Sequence, residues 1–141
     1  MSGGVARPAA SLGSRAIRTA AIMYVALGVG FGIGAAIALD HQRREGELPM
    51  TPWGFRALAG GPFDDLTPEH FTVLGSALVG VCALNVVAGM WLWQGHRRGA
   101  TLGLATSPAA LALGVGFALP FLLAGVPISV ALIVAGRRTL R

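Results

Sequence analysis

The chain has 141 residues, 54% hydrophobic and only 12% charged, with a formal net charge of +5 from 11 arginines, no lysine and six acids. Soluble domains carry about a quarter charged residues, so this composition excludes one and points to helices in lipid. The arginines flank apolar runs instead of forming a nucleic-acid patch, so the lipid bilayer is the expected partner and nucleic acid is not. Cys82 alone supports neither an intrachain disulfide nor a Cys-rich zinc site. All-arginine usage with abundant Ala and Gly suggests a GC-rich bacterial coding sequence.

Residues 1–18 combine Gly, Ala and Ser with Arg7, Arg15 and Arg18 and read as a mostly disordered tail. Thr19–Leu39 is free of charge; at 1.5 Å per residue it spans roughly 31 Å, the depth of a bilayer core. Ala36-Ile37-Ala38 has the form of a signal-peptidase site, but the run is too long for a cleaved leader, so it reads as the first span.

Residues 40–70 are the long polar segment and hold all six acids, Asp40, Glu45, Glu47, Asp64, Asp65 and Glu69. Trp53, Phe55 and Phe63 suit a lipid or protein surface at the membrane interface, with a short helix over 52–59 ended by Gly60-Gly61-Pro62. Asp64, Asp65 and His70 complete a candidate ligand or partner surface. His41 and His70 flank the loop, but their spacing enforces no metal geometry. No metal site and no cofactor is expected.

The second span opens on Thr67 as N-cap, Pro68 at the first helical position and Glu69 in the first turn, and runs over 71–93. The turn at Gln94–Arg98 is basic, with Trp91 and Trp93 as interface anchors. Ala100–Gly136 has no charge over a length that one helix would carry to roughly 55 Å. Two spans are therefore expected, 100–118 and 121–136, broken before Pro120. Pro108 falls inside the third, where the Thr106 and Ser107 hydroxyls can serve the backbone that proline frees.

The tail, the 94–98 turn and the C-terminal end carry eight arginines and no acid; the 40–70 loop carries three arginines and six acids. This asymmetry predicts both termini in the cytoplasm of a bacterial plasma membrane and the loop outside.

Span one carries two glycine pairs, Gly28/Gly32 and Gly30/Gly34, about 200° apart around the helix. Span two carries Gly75, Asn85 and Gly89 on one stripe and Ser76 and Gly80 on another. In lipid, small residues mark faces where helices meet, so all nine positions are candidate packing residues, for this bundle or for a protein partner or second copy. Asn85 is the most polar group within a span; packing is its default role and lining a solute path its alternative. No Asp, Glu, Arg or His sits within a span, against proton-coupled transport.

The expected fold class is all-α: a polytopic membrane protein with a four-transmembrane-helix bundle and one external loop. The expected function is a non-enzymatic accessory, scaffold or assembly subunit. The alternatives are an oligomeric channel or transporter for a neutral or apolar solute, and a lipid-acting enzyme using the external loop.

Overall fold

The computed structural model describes residues 8–140 except Trp53, Phe55 and Ala59, with side chains from Leu12 onward. Four α-helices follow in order: α1 Pro8–Glu45, α2 Pro68–Trp93, α3 Arg97–Gly116 and α4 Pro120–Gly136. Four helical segments are long and apolar enough to cross a membrane, the last of them α4 continued by the 3-10 turn Arg137–Thr139. Among the described residues there is no strand, only an isolated bridge between Met50 and Arg56.

The helices form a ring in which α1 packs on α2 and α4, and α3 packs on the same two. α2 and α4 are apolar all round, and large apolar side chains such as Val73, Ile33, Ile37 and Phe121 point outward. A helix with apolar residues on every face needs an apolar surrounding on every face. Two core clusters lie inside the ring. One, around Leu78, Phe117 and Val126, occupies the half nearer the 46–67 loop; the other, around Ala20, Leu92 and Ile133, occupies the opposite half.

The start of α1, the α2–α3 turn and the end of α4 meet at one end of the ring. A Cβ on Gly136 would stand 2.8 Å from Gly13 O, and the Arg97 Nε–H donates to Leu140 O at 3.2 Å. All described arginines of this end face no acid there. The six acids lie at the opposite end, so the charge asymmetry of the sequence becomes a separation in space.

Several elements differ from expectation. The segment 8–18 is helical and not a disordered tail, and Asp40–Glu45 continues the helix and does not open the loop. α1 therefore has 38 residues and a length of about 57 Å, well beyond a bilayer core. Alanine at the start and the Arg44–Asp40 pair at 3.0 Å, four residues apart, favour these extensions. Gly46 at φ +74° then stops the helix, its N–H donating to Gln42 O at 2.9 Å.

The described residues of 52–59 are not helical, and Trp53, Phe55 and Ala59 of that expected helix lie outside the described residues. The Ala57 N–H donates to Pro49 O at 2.9 Å, and within that loop Gly54, at φ +82°, donates its N–H to Thr51 O at 2.9 Å. A left-handed residue interrupts helical hydrogen bonding, and a short 3-10 turn appears later, at Pro62–Asp65.

Thr67 is the N-cap of α2 by position, yet its side chain makes no cap bond; its Oγ1 lies 2.6 Å from His70 Nδ1. The break before Pro120 is as expected. Phe117, Ala118 and Leu119 form the turn, with the Leu119 N–H donating to Gly114 O at 2.8 Å and the Ala118 N–H to Val115 O at 3.1 Å. This paired arrangement places Ala118 at φ +50°, a position usually given to glycine.

Candidate functional site

Between the two core clusters, α1, α2 and α3 bring together buried polar side chains. Tyr24 from α1 is 2% exposed and Asn85 from α2 is 2% exposed. α3 supplies Thr106 and Ser107, both buried. The Tyr24 hydroxyl donates to Gly103 O at 3.2 Å and lies 3.1 Å from Ser107 Oγ. Ser107 donates to Gly103 O at 2.6 Å. Gly103 admits the phenol because a Cβ there would stand 3.1 Å from Tyr24 Cζ.

The Thr106 hydroxyl is 2.8 Å from Asn85 Oδ1, nearer than its own-helix acceptors Leu102 O at 3.1 Å and Gly103 O at 3.2 Å. One hydroxyl carries one proton, and the shortest path sends it across to α2. Neither hydroxyl serves the Leu104 carbonyl, the one Pro108 leaves without its usual donor, as the sequence suggested; Thr106 turns to α2 and Ser107 to Gly103 O in the turn before.

The cluster links α1 to α3 through Tyr24 and α2 to α3 through Asn85 and Thr106. Asn85→Leu is expected to cost about 0.6–2 kcal/mol, as is Thr106→Val, with the double variant costing less than their sum. Unfolding titrations in mixed micelles read all three. Strictly additive costs would show that the two side chains do not act on each other.

The glycines divide. Cβ atoms on Gly28 and Gly32 would meet α2, at 2.7 Å from Cys82 O and 3.1 Å from Cys82 Cβ respectively. On α2, Gly75 faces Leu39, and Gly89 faces Val25 and Ala21 of α1. Gly30, Gly34 and Gly80 have nothing within 4 Å and are exposed. Ser76 is exposed too, its hydroxyl donating to Thr72 O at 2.8 Å. One seam of α1 is thus used inside the chain and the other is not.

Phe63 packs within the chain. It is half-buried against Gly116 and meets the Phe117 ring edge-on at 5.1 Å, while Phe71 meets the same ring at 5.3 Å. The loop is thereby docked onto the α3–α4 turn. Asp64 accepts from the Gly60 N–H at 3.2 Å and shapes the loop, and Asp65 and His70 are exposed. Trp53 and Phe55 lie outside the described residues. Among the described residues, no three His, Cys, Asp or Glu side chains converge as metal ligands.

Phe117 and the partners of Tyr24 are absent from the sequence reading. A large aromatic between Gly116 and Pro120 is a visible signal for the first. For the second, no signal in the sequence says which helix the phenol meets. The chain matches no family model, no curated protein and no solved structure.

Proposed function

We propose that the chain is a multi-pass, non-enzymatic accessory or assembly subunit of a bacterial cytoplasmic membrane, with both termini cytoplasmic, and that the Gly30/Gly34 face of α1 receives a further membrane helix. The observation that carries this reading is the exposure of Gly30 and Gly34 amid Ile22, Ile33 and Ile37, with no described atom beyond the adjoining helix backbone within 4 Å of either glycine's Cβ position. Glycine costs a helix about 1 kcal/mol relative to alanine. Facing lipid it gains nothing in return, whereas facing another helix it lets the two backbones approach closely.

The orientation rests on the arginines gathered at one end and the acids at the other. A polar path through the single bundle draws no support, because the Asn85 and Thr106 groups that would line it are bonded to each other.

Native gels of gently solubilised membranes test the assignment. The 14.4 kDa chain is expected to migrate within a larger complex, and Gly30→Leu/Gly34→Leu is expected to return it to the single-chain position with its helical content intact. A wild-type chain extracted alone, or a complex that survives both substitutions, contradicts the reading. In a Cys82→Ala background, an impermeant thiol reagent should label Asp65→Cys and not His96→Cys in intact cells; the reverse pattern overturns the orientation.

A further inference from the structure

On one side of the α1–α2 pair, two cavities share a wall. The larger, about 430 Å³, is a groove between the helices lined by Ile22, Val25, Ala26 and Met90 and closed at its basic end by Trp93 and Gln94. Small residues at Ala21 and Gly89 hollow out its floor. Its size falls in the roughly 300–1,000 Å³ range of small-molecule sites. The smaller, about 210 Å³, begins at the same Trp93 and Gln94 and continues past Ser14, Arg18 and Gly95.

Arg18 stands where the two meet. Its guanidinium carbon lies 5.8 Å from the centre of a Trp93 ring, close enough for a cation–π attraction to hold the charge at the junction. The one ion pair among the described residues joins Arg44 to Asp40 at the other end of α1, so Arg18 faces no carboxylate among the described residues. An apolar trough therefore runs directly into a cationic, hydrogen-bonding recess, with an indole marking the boundary.

The geometry points to a binding site for one anionic phospholipid, an acyl chain lying along the α1–α2 groove and the phosphate meeting Arg18. The order of surfaces matches an amphiphile: hydrocarbon against Val25, Ala26 and Met90, then the interface at Trp93, then the anion. A free phosphate would leave the groove empty, and a wholly apolar ligand would leave Arg18 without a counter-charge. The assignment rests on the bilayer placement proposed above and on no partner chain. Gly30 is turned about 140° from Val25 around α1, so the lipid groove and the glycine face are separate surfaces.

The test is native mass spectrometry of the purified full chain in mild detergent, titrated with phosphatidylglycerol and phosphatidylcholine of identical acyl chains. One phosphatidylglycerol per chain is expected, at about tenfold preference over phosphatidylcholine, the size of a charge-assisted contact. Arg18→Gln should cut the preference to about threefold or less, while Arg18→Lys keeps most of it. Ala26→Phe, at an outward-facing position, should fill the groove and abolish retention of both lipids, with circular dichroism confirming the fold.

Equal retention of the two lipids, a preference that survives Arg18→Gln, or displacement by glycerol phosphate as effectively as by phosphatidylglycerol overturns the site; the last would mean an anion recess alone. Release of the chain from native membranes by alkaline carbonate overturns the bilayer placement instead, and is read independently of the lipid titration.

Discussion

Gly28→Ala is expected to destabilise the bundle by about 1–3 kcal/mol, and Gly28→Ile to prevent α1 and α2 from closing. The new Cβ would stand 2.7 Å from Cys82 O, 2.7 Å from Val86 Cγ2 and 3.2 Å from Val86 N. Two of those three atoms are backbone, so no rotamer change relieves the contact and the helices must separate. Separation removes close packing along the most extensive helix pair in the molecule, and in lipid that packing is what holds helices together. Gly30→Ala, two residues away, should have the opposite sign in dilute detergent. Its Cβ meets nothing within 4 Å, so the gain in helix propensity, up to about 1 kcal/mol, stands unopposed. Reversible unfolding by dodecyl sulfate in mixed micelles measures both. Equal shifts for the pair would show that α1 does not present Gly28 to α2.

Phe117→Ala is expected to cost about 3–5 kcal/mol, as for other fully buried aromatic truncations, and to undock the loop. Phe117 is 1% exposed and takes the edges of two rings, Phe63 from the loop and Phe71 from the first turn of α2. Removing its ring takes away the surface against which Phe63 is held, while the four helices keep their other contacts. Two readouts should therefore move together: a lower unfolding midpoint and faster tryptic cleavage after Arg56. Phe117→Leu should recover part of the stability, since it restores apolar volume but not the edge-on geometry. Unchanged cleavage at Arg56 in Phe117→Ala would mean that the loop is held by something other than this aromatic contact.

The four apolar helices were legible because the charge-free runs are as long as a bilayer is deep, and because proline marks its own boundary at Pro68 and Pro120. The ends of α1 were not. Asp40–Glu45 is polar enough to read as loop, and only the spacing of Asp40 and Arg44 hints that the helix continues. The helix expected near 52–59 failed because apolar and aromatic content outweighed the backbone demands of Gly54 and Leu58, both at positive φ.

The candidate site was legible only by residue type. Asn85 stood out as a group needing a partner, but that Thr106 is the partner depends on how far two helices rotate against each other, which periodicity does not contain. The same holds for the two glycine seams: their separation around α1 is arithmetic, but which one meets α2 is set by the whole ring. Arg18 and Trp93 are far apart in sequence, and nothing short of the folded ring places a cation over that indole.

The polar cluster bears on how the chain enters the bilayer. α3 is the least apolar of the four candidate spans and the one its neighbours bury most. Its Thr106, Ser107 and Pro108 make it a poor solitary guest for hydrocarbon, yet Tyr24 and Asn85 present matching groups from helices synthesised before it. Placed in a bilayer as proposed, α3 would enter together with α2, which packs along it and offers Asn85 to Thr106, and not as a lone helix.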